Sequence, residues 1–155
     1  MIPYRATAPC DWAAILRLIQ TEFAYMEGRI DPPSSMQRLT EADIAAKAES
    51  GEVWLVGSPP IACMFLTVKP DALYLGKLAV SVGQRGKGLA RALVDVAEAP
   101  AKALGLAAVE LETRAELLEN HATFRALGFV ETGRSAHPGY TQPTSISFRK
   151  AVQAR

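Results

Sequence analysis

"SVGQRGKGLARALV", Ser81 to Val94, is the stretch on which the reading of this sequence turns. Three glycines and two basic residues fall within the six positions Gly83 to Gly88, and a helix-like run follows at once. Gly86 and Gly88 let the backbone bend and let an anion approach the peptide N–H groups with no Cβ in the way. The helix N-terminus behind them adds unpartnered N–H groups and the positive end of the macrodipole. Together these features predict a phosphate site. The remaining question is which phosphate compound it takes.

Two common phosphate loops do not fit. A Walker A loop needs Gly-Lys followed by Ser or Thr, but Gly86-Lys87 is followed by Gly88, and Ser81 stands where the first glycine belongs. A dinucleotide fingerprint, GxGxxG or GxGxxA, accepts Gly86 and Gly88 and fails at Arg91. A third pattern, Arg/Gln-x-x-Gly-x-Gly/Ala, is filled by Arg85, Gly88 and Ala90 in "RGKGLA".

Working upstream, "ALYLGKLAV", "IACMFLTV" and "EVWLVG" read as strands split by "KPD" and "SPP", an antiparallel meander. Before them Thr40 opens a helix with Asp43 as an Asp version of the capping box. Leu39 and Ile44 are placed for a hydrophobic staple, and Gly51 ends the helix. Residues 27–38, "EGRIDPPSSMQR", form a loop. Asp11 caps a first helix over about 12–26, with Ile15, Ile19, Phe23 and Met26 at helical spacing, and "IPYRAT" is extended.

Downstream, the helix after the glycines spans about 87–104 and stops at Gly105, with Pro100 predicted to kink it or end it early. In "AAVELETR", Val109, Leu111 and Thr113 alternate with Glu110, Glu112 and Arg114, which marks a strand. "ELLENHATFRAL" is a short helix closed by Gly128, and "FVETGRS" and "TSISFRKAV" are strands around "AHPGYTQP". The predicted order is β-α-α-β-β-β-α-β-α-β-β. It contains no repeat or linker, so residues 1–155 are expected to form one α/β domain with a mixed, mostly antiparallel sheet flanked by helices.

The composition agrees with that class. Apolar residues make up 49% and charged residues 21%, and 17 Lys plus Arg balance 16 Asp plus Glu. That balance gives no basis for a general nucleic-acid partner. No run is long enough for a membrane span and the N-terminus lacks the apolar run of a signal peptide, so the expected location is cytoplasmic. Cys10 and Cys63 lack metal or redox spacing and are expected to be buried apolar residues. His121 and His137 read as surface residues, and no metal cluster can be assembled from them.

With the glycine loop placed after a meander, the chain resembles the GNAT superfamily of coenzyme A-dependent N-acetyltransferases along nearly its whole length. "ENHATFRALGFVETG" resembles the late segment of that family, where an Asn precedes an aromatic residue and an LGF ending. The resemblance implies a GNAT-like α+β sheet. It also implies transfer of acetyl from acetyl-coenzyme A to an amine of a small molecule or peptide, by direct attack in a ternary complex. Coenzyme A pyrophosphate is then expected on the backbone of Arg85, Gly86, Lys87, Gly88, Leu89 and Ala90. The pantetheine arm is expected beside Leu78, Ala79 and Val80, where that strand and "AAVELETR" should splay apart. Asn120 stands where the family often contacts the cofactor, although a helix cap is an equal reading of it. Arg91 fits either a phosphate contact or plain solvation.

The resemblance departs at one position. The aromatic residue four before Gly128 is commonly a Tyr that protonates the departing thiolate, and here it is Phe124. Thiols of pKa about 8.5 leave readily, whereas an alkylamine of pKa about 10.4 must first lose a proton, at about 4–5 kcal/mol at neutral pH. A base therefore matters more than the absent acid. Glu22, Glu112 and Tyr140 are the candidates for it. Glu27, Arg29 and Asp31 in the 27–38 loop are candidates for acceptor contact. The alternative reading, prompted by Phe124, is a coenzyme A-binding sensor with little turnover. A homodimer in which "TSISFRKAV" pairs or packs across the interface is a further expectation.

Overall fold

The computed structural model describes residues 2–152. The elements follow the predicted order: β1 (Tyr4–Arg5), α1 (Trp12–Phe23), α2 (Glu41–Ser50), β2 (Glu52–Val56), β3 (Ala62–Val68), β4 (Ala72–Val80), α3 (Leu89–Ala103), β5 (Ala108–Arg114), α4 (Leu118–Ala126), β6 (Val130–Ser135) and β7 (Ser145–Ala151). The strands form one seven-stranded sheet in the order β1-β2-β3-β4-β5-β7-β6. Every pairing is antiparallel except β4 with β5.

Local chemistry sets the helix ends. Asp11 caps α1 by accepting from the Ala14 N–H at 3.1 Å. Thr40 and Asp43 form a reciprocal capping box on α2, with bonds of 2.9 and 3.1 Å, and Leu39 and Ile44 join the same core cluster. The expected first helix is shorter than 12–26, because residues Ala24–Met26 tighten into a 3-10 turn. Short 3-10 turns also form at Ser35–Arg38 and Val82–Gln84. The helix expected from 87 begins at Leu89, because Gly86 and Gly88 both take φ +79°, a left-handed conformation that no helical residue adopts. Pro100 does not end α3 early. The helix continues to Ala103, and Leu104 N–H still bonds the Pro100 carbonyl at 3.0 Å.

The sheet separates two apolar layers. Met64, Leu66, Leu73, Leu75, Val109 and Leu111 pack with Leu93, Val94 and Ala97 of α3 on one face. Cys63, Phe65, Val53 and Leu55 pack with Ile15 and Ile19 of α1 and Ile44 of α2 on the other. Burying each of the Val, Leu, Ile, Phe and Met side chains among these stabilises the fold by roughly 1.5–3 kcal/mol.

A bulge in β4 decides how this layering meets the site. The register runs Cys63↔Ala79 on one side of it and Phe65↔Gly76 on the other, so β4 carries one extra residue, and Lys77 there has φ +50°. Because strand side chains alternate, the extra residue reverses parity. Leu73 and Leu75 face α3, whereas beyond the bulge Ala79 faces α1 and Leu78 and Val80 turn toward the α3 layer. Nothing in "ALYLGKLAV" announced this.

Three further expectations need correction. β7 lies between β5 and β6, so both of its hydrogen-bonding edges are occupied; of the two routes expected to join "TSISFRKAV" to a second copy, pairing or packing, only pairing is closed. A dimer formed by extending the sheet would have to use β1 or β6, the two edges. His121 is not a surface residue: it is 5% exposed, with Nε2 3.0 Å from the Arg114 carbonyl. Cys10 is half-buried rather than buried.

Candidate active site

β4 and β5 pair only at Ala72↔Ala108, Leu73↔Val109 and Tyr74↔Glu110, and then diverge. The splay expected of these two strands is therefore present. It leaves the β5-facing edge of β4 beyond Tyr74 without a strand partner, and two cavities open into the gap.

One cavity, of about 730 Å³, lies at the N-terminus of α3. Leu78, Ala79 and Val80 line it from β4, and Arg85, Gly86, Gly88, Leu89, Ala90 and Arg91 line it from the glycine loop. The N–H groups of Gly88 to Arg91 precede the first helical bond, which Ala92 donates to Gly88 at 3.0 Å, and Gly88 brings no capping side chain. A Cβ at Gly86 or Gly88 would meet no protein atom within 4 Å, so both positions open onto free space. This cradle of uncapped N–H groups, continued by an apolar wall, suits a pyrophosphate with an extended arm. Lys87 is the exception among the predicted contacts, since its ammonium turns to Gln84 Oε1 at 3.1 Å and it does not line the cavity. Arg85 donates to Glu22 at 3.2 Å and to the Val80 carbonyl at 3.4 Å, and Arg91 donates to the Ala126 carbonyl at 3.1 Å.

The second cavity, of about 440 Å³, lies deeper in the splay. Its polar lining includes Lys47, Thr67, Tyr74, Lys77, Glu112 and Arg114. Burial depresses the Lys77 ammonium and pushes the Tyr74 hydroxyl up to about 12, with the Glu112 charge acting in the same direction on Tyr74. Burial also holds the Cys63 thiol at about 12, so it carries no thiolate near neutrality.

The base candidates are thus separated. Glu112 lines the deeper cavity. Glu22 lines only the α3 cavity, is 8% exposed, and is ion-paired with Arg85. Tyr140 lines neither cavity, and its hydroxyl donates to Asp31 Oδ1 at 2.5 Å. That bond, with desolvation behind it, raises the Tyr140 pKa, which is the wrong direction for a base.

The acceptor-contact candidates are likewise turned elsewhere. Arg29 makes a bidentate pair with Glu119 at 2.7 and 2.9 Å, Glu27 accepts from Gln37 at 2.9 Å, and Asp31 holds Tyr140. Neither Glu27, Arg29 nor Asp31 lines either of the two cavities. Arg29 and Asp31 instead fasten the 27–38 loop to Glu119, Glu116 and Tyr140, while the bond from Gln37 to Glu27 is internal to the loop. Arg114 assists by donating to the Pro32 and Pro33 carbonyls at 2.7 and 3.3 Å.

Five residues line both cavities: Phe23, Tyr25, Leu78, Asn120 and Phe124. Phe124 packs its ring against Phe129 and Phe148, with centroids 6.2 and 6.1 Å apart. Asn120 lies inside α4 and does not cap it, because the cap is Leu117; its amide donates to the Tyr25 hydroxyl at 3.1 Å. Tyr25 escaped the sequence reading. It follows a helix whose apolar stripe ends at Phe23, and only the 3-10 turn carries it to the junction. Among the described residues no cluster of His, Cys, Asp and Glu is arranged for a metal, and no helix is long and apolar enough to cross a membrane.

Comparison with known proteins agrees with this architecture. Residues 12–129 match the acetyltransferase (GNAT) family, and the chain belongs to it. It is therefore an acyltransferase, and its acyl donor is acetyl-coenzyme A. The fold is shared with a GNAT-family acetyltransferase from Staphylococcus aureus Mu50, at TM-score 0.73 and 14% identity, covering 97% of this chain and 98% of that one. It is shared also with the ribosomal-protein-S18-alanine N-acetyltransferase of Escherichia coli, at TM-score 0.68 and 20% identity, covering 99% and 96%. A GNAT-family acetyltransferase from Elizabethkingia anophelis, solved with acetyl-CoA bound, gives TM-score 0.69 at 16% identity, covering 96% of each chain. No curated protein matches the sequence.

Proposed function

We propose that this protein moves acetyl from acetyl-coenzyme A to the amine nitrogen of a small molecule or peptide, by direct attack with both substrates bound. The observation that carries this reading is the pair of cavities that meet at a shared wall within the splay of β4 and β5. One suits the nucleotide end of the donor and the other suits an acceptor. Bound there, acetyl-coenzyme A supplies an activated acyl group on a sulfur leaving group.

The residues of the chain divide the remaining work. The N–H groups of Gly86, Gly88, Leu89 and Ala90 hold the pyrophosphate, each charge-assisted bond contributing roughly 1.5–3 kcal/mol. The free edge of β4 at Leu78, Ala79 and Val80 aligns the arm. Glu112, on the wall of the acceptor cavity, takes the proton of the incoming ammonium, directly or through one water. Glu22 is reserved for holding Arg85.

The test is release of free thiol from acetyl-coenzyme A across a panel of amines. Turnover is expected with at least one primary amine, and Glu112→Gln should lower kcat/KM by about 10²-fold or more at neutral pH. Tight coenzyme A binding with no thiol release from any amine would defeat this reading. It would favour the alternative, a coenzyme A-binding sensor, which Phe124 suggests because its ring has no proton to give.

A further inference from the structure

Resting on the transfer reading for the bond that breaks, we propose that Tyr25 is the proton donor to the departing sulfur, the role that Phe124 cannot fill. A donor arm entering by the α3 cavity and an acceptor in the deeper one can react only where the two spaces join. Phe23, Tyr25, Leu78, Asn120 and Phe124 line both. Of these five side chains only Tyr25 carries a dissociable O–H; an amide, a leucine and two phenyl rings do not.

The surroundings of Tyr25 suit the role. Asn120 Nδ2 donates to its oxygen at 3.1 Å, which fixes the hydroxyl while leaving its own proton free. Among the described residues no acceptor takes that proton. The Arg29 guanidinium stands 5.6 Å from the ring centroid and is itself anchored by Glu119. The ring is thus steadied by a cation on its face. Asn120 and Arg29 are positioning residues, each acting through Tyr25.

The step balances. The amine nitrogen forms the new C–N bond and the C–S bond breaks with its electron pair going to sulfur. The Tyr25 proton goes to that sulfur; the proton Glu112 took from the ammonium passes to solvent, and the second proton, lost by the nitrogen as the C–N bond forms, returns through water to the phenolate. The site would then hold one tyrosine as donor, supplied from the 3-10 turn after α1 rather than from α4.

The experiment compares wild type with Tyr25→Phe in two readouts. The first needs no acceptor: the thiolate absorbance of protein-bound coenzyme A is titrated as the difference between the complex and the coenzyme-free protein, wild type and variant alike, so that the ionisation of the protein's own side chains is subtracted. A hydroxyl donating to the thiolate favours the charged form. The wild-type curve should therefore lie at lower pH than that of Tyr25→Phe by about half a pH unit or more. The second is thiol release, with an amine or with water as acceptor. Tyr25→Phe should lower kcat about 10- to 100-fold, while calorimetric affinity for coenzyme A stays within about twofold. Adding Phe124→Tyr to it should restore turnover, whereas Phe124→Tyr alone should gain less than about threefold.

Identical titration curves overturn the proposal whatever the activity does. Shifted curves with unchanged kcat overturn the donor role, and so does a gain above about 10²-fold in the single Phe124→Tyr protein. A shifted curve in a wild type that releases no thiol to any amine or to water defeats the transfer reading and the donor role with it. It leaves the hydroxyl placed at sulfur.

Discussion

Gly88 stands at the N-cap of α3 with φ +79°, and the space where a Cβ would project is free of protein atoms. A side chain there meets no neighbour in the fold, so the two effects of substitution separate. Gly88→Val should cost about 1–2 kcal/mol of stability through backbone strain alone. It should cost more in binding, because a branched side chain would occupy the approach to the N–H cradle. Calorimetry should read a loss of about 10²-fold in coenzyme A affinity in a protein that still melts cooperatively. Unchanged affinity would move the pyrophosphate off this loop. Phe124 differs, since its ring was legible as a departure from the family pattern, but its packing on Phe129 and Phe148 was not. Tyr25 was not legible at all. Its place depends on Asn120, which lies 95 positions away in sequence.

Among the elements, α3 carries a proline three residues from its end without stopping there. The proline has no N–H for the Val96 carbonyl, and its flanking turn must accommodate the ring. The apolar stripe of α3, through Leu89, Leu93, Val94, Ala97 and Ala101, is buried against the sheet and outweighs that local loss. Pro100→Ala should therefore restore one helical bond and stabilise the protein by roughly 1–2 kcal/mol, less than the full helix-interior penalty because the unfolded chain also gains freedom. A thermal melt showing no rise in Tm would mean that α3 is already adapted to the ring. In β4 the sequence showed a strand but not its bulge, because an inserted residue leaves no trace in alternation when both faces of the strand are apolar. That bulge at Lys77 is what turns Leu78 and Val80 toward the α3 layer and Ala79 toward α1.

At the scale of the whole molecule, the 24–38 segment is fastened over the splay by side chains drawn from the far half of the chain: Glu116, Glu119, Arg114 and Tyr140. The hydrogen bond from Arg29 pulls the Glu119 carboxyl down to about 2. The sign follows from linkage. A carboxyl whose folded pKa is depressed contributes stability above its unfolded pKa of about 4.3, and that contribution is lost as pH falls toward the folded value. The pair is exposed, so the contribution is small. Glu119→Gln should lower Tm slightly and by a constant amount from pH 7 to 5. The difference from wild type should close between about pH 4.5 and 2. A Tm difference independent of pH across that window would show that the amide loses packing rather than charge.

The sequence alone determined the element order, the capped starts of α1 and α2 and the glycine turn into α3. Each of these is written in side chains a few positions apart and depends on local backbone preference. It also carried the family, through a loop whose chemistry sits in consecutive peptide N–H groups. The splay after Tyr74 and Glu110 came only as an implication of that resemblance, and its geometry belongs to the tertiary structure. Tertiary structure alone decided that Glu22 faces Arg85 while Glu112 faces the cleft, and that Tyr140 is committed to Asp31. It alone brought Tyr25 to the junction of the two cavities. The reason is that a side chain's partner across the fold is set by sheet register and loop path, and neither is encoded in the few residues around it.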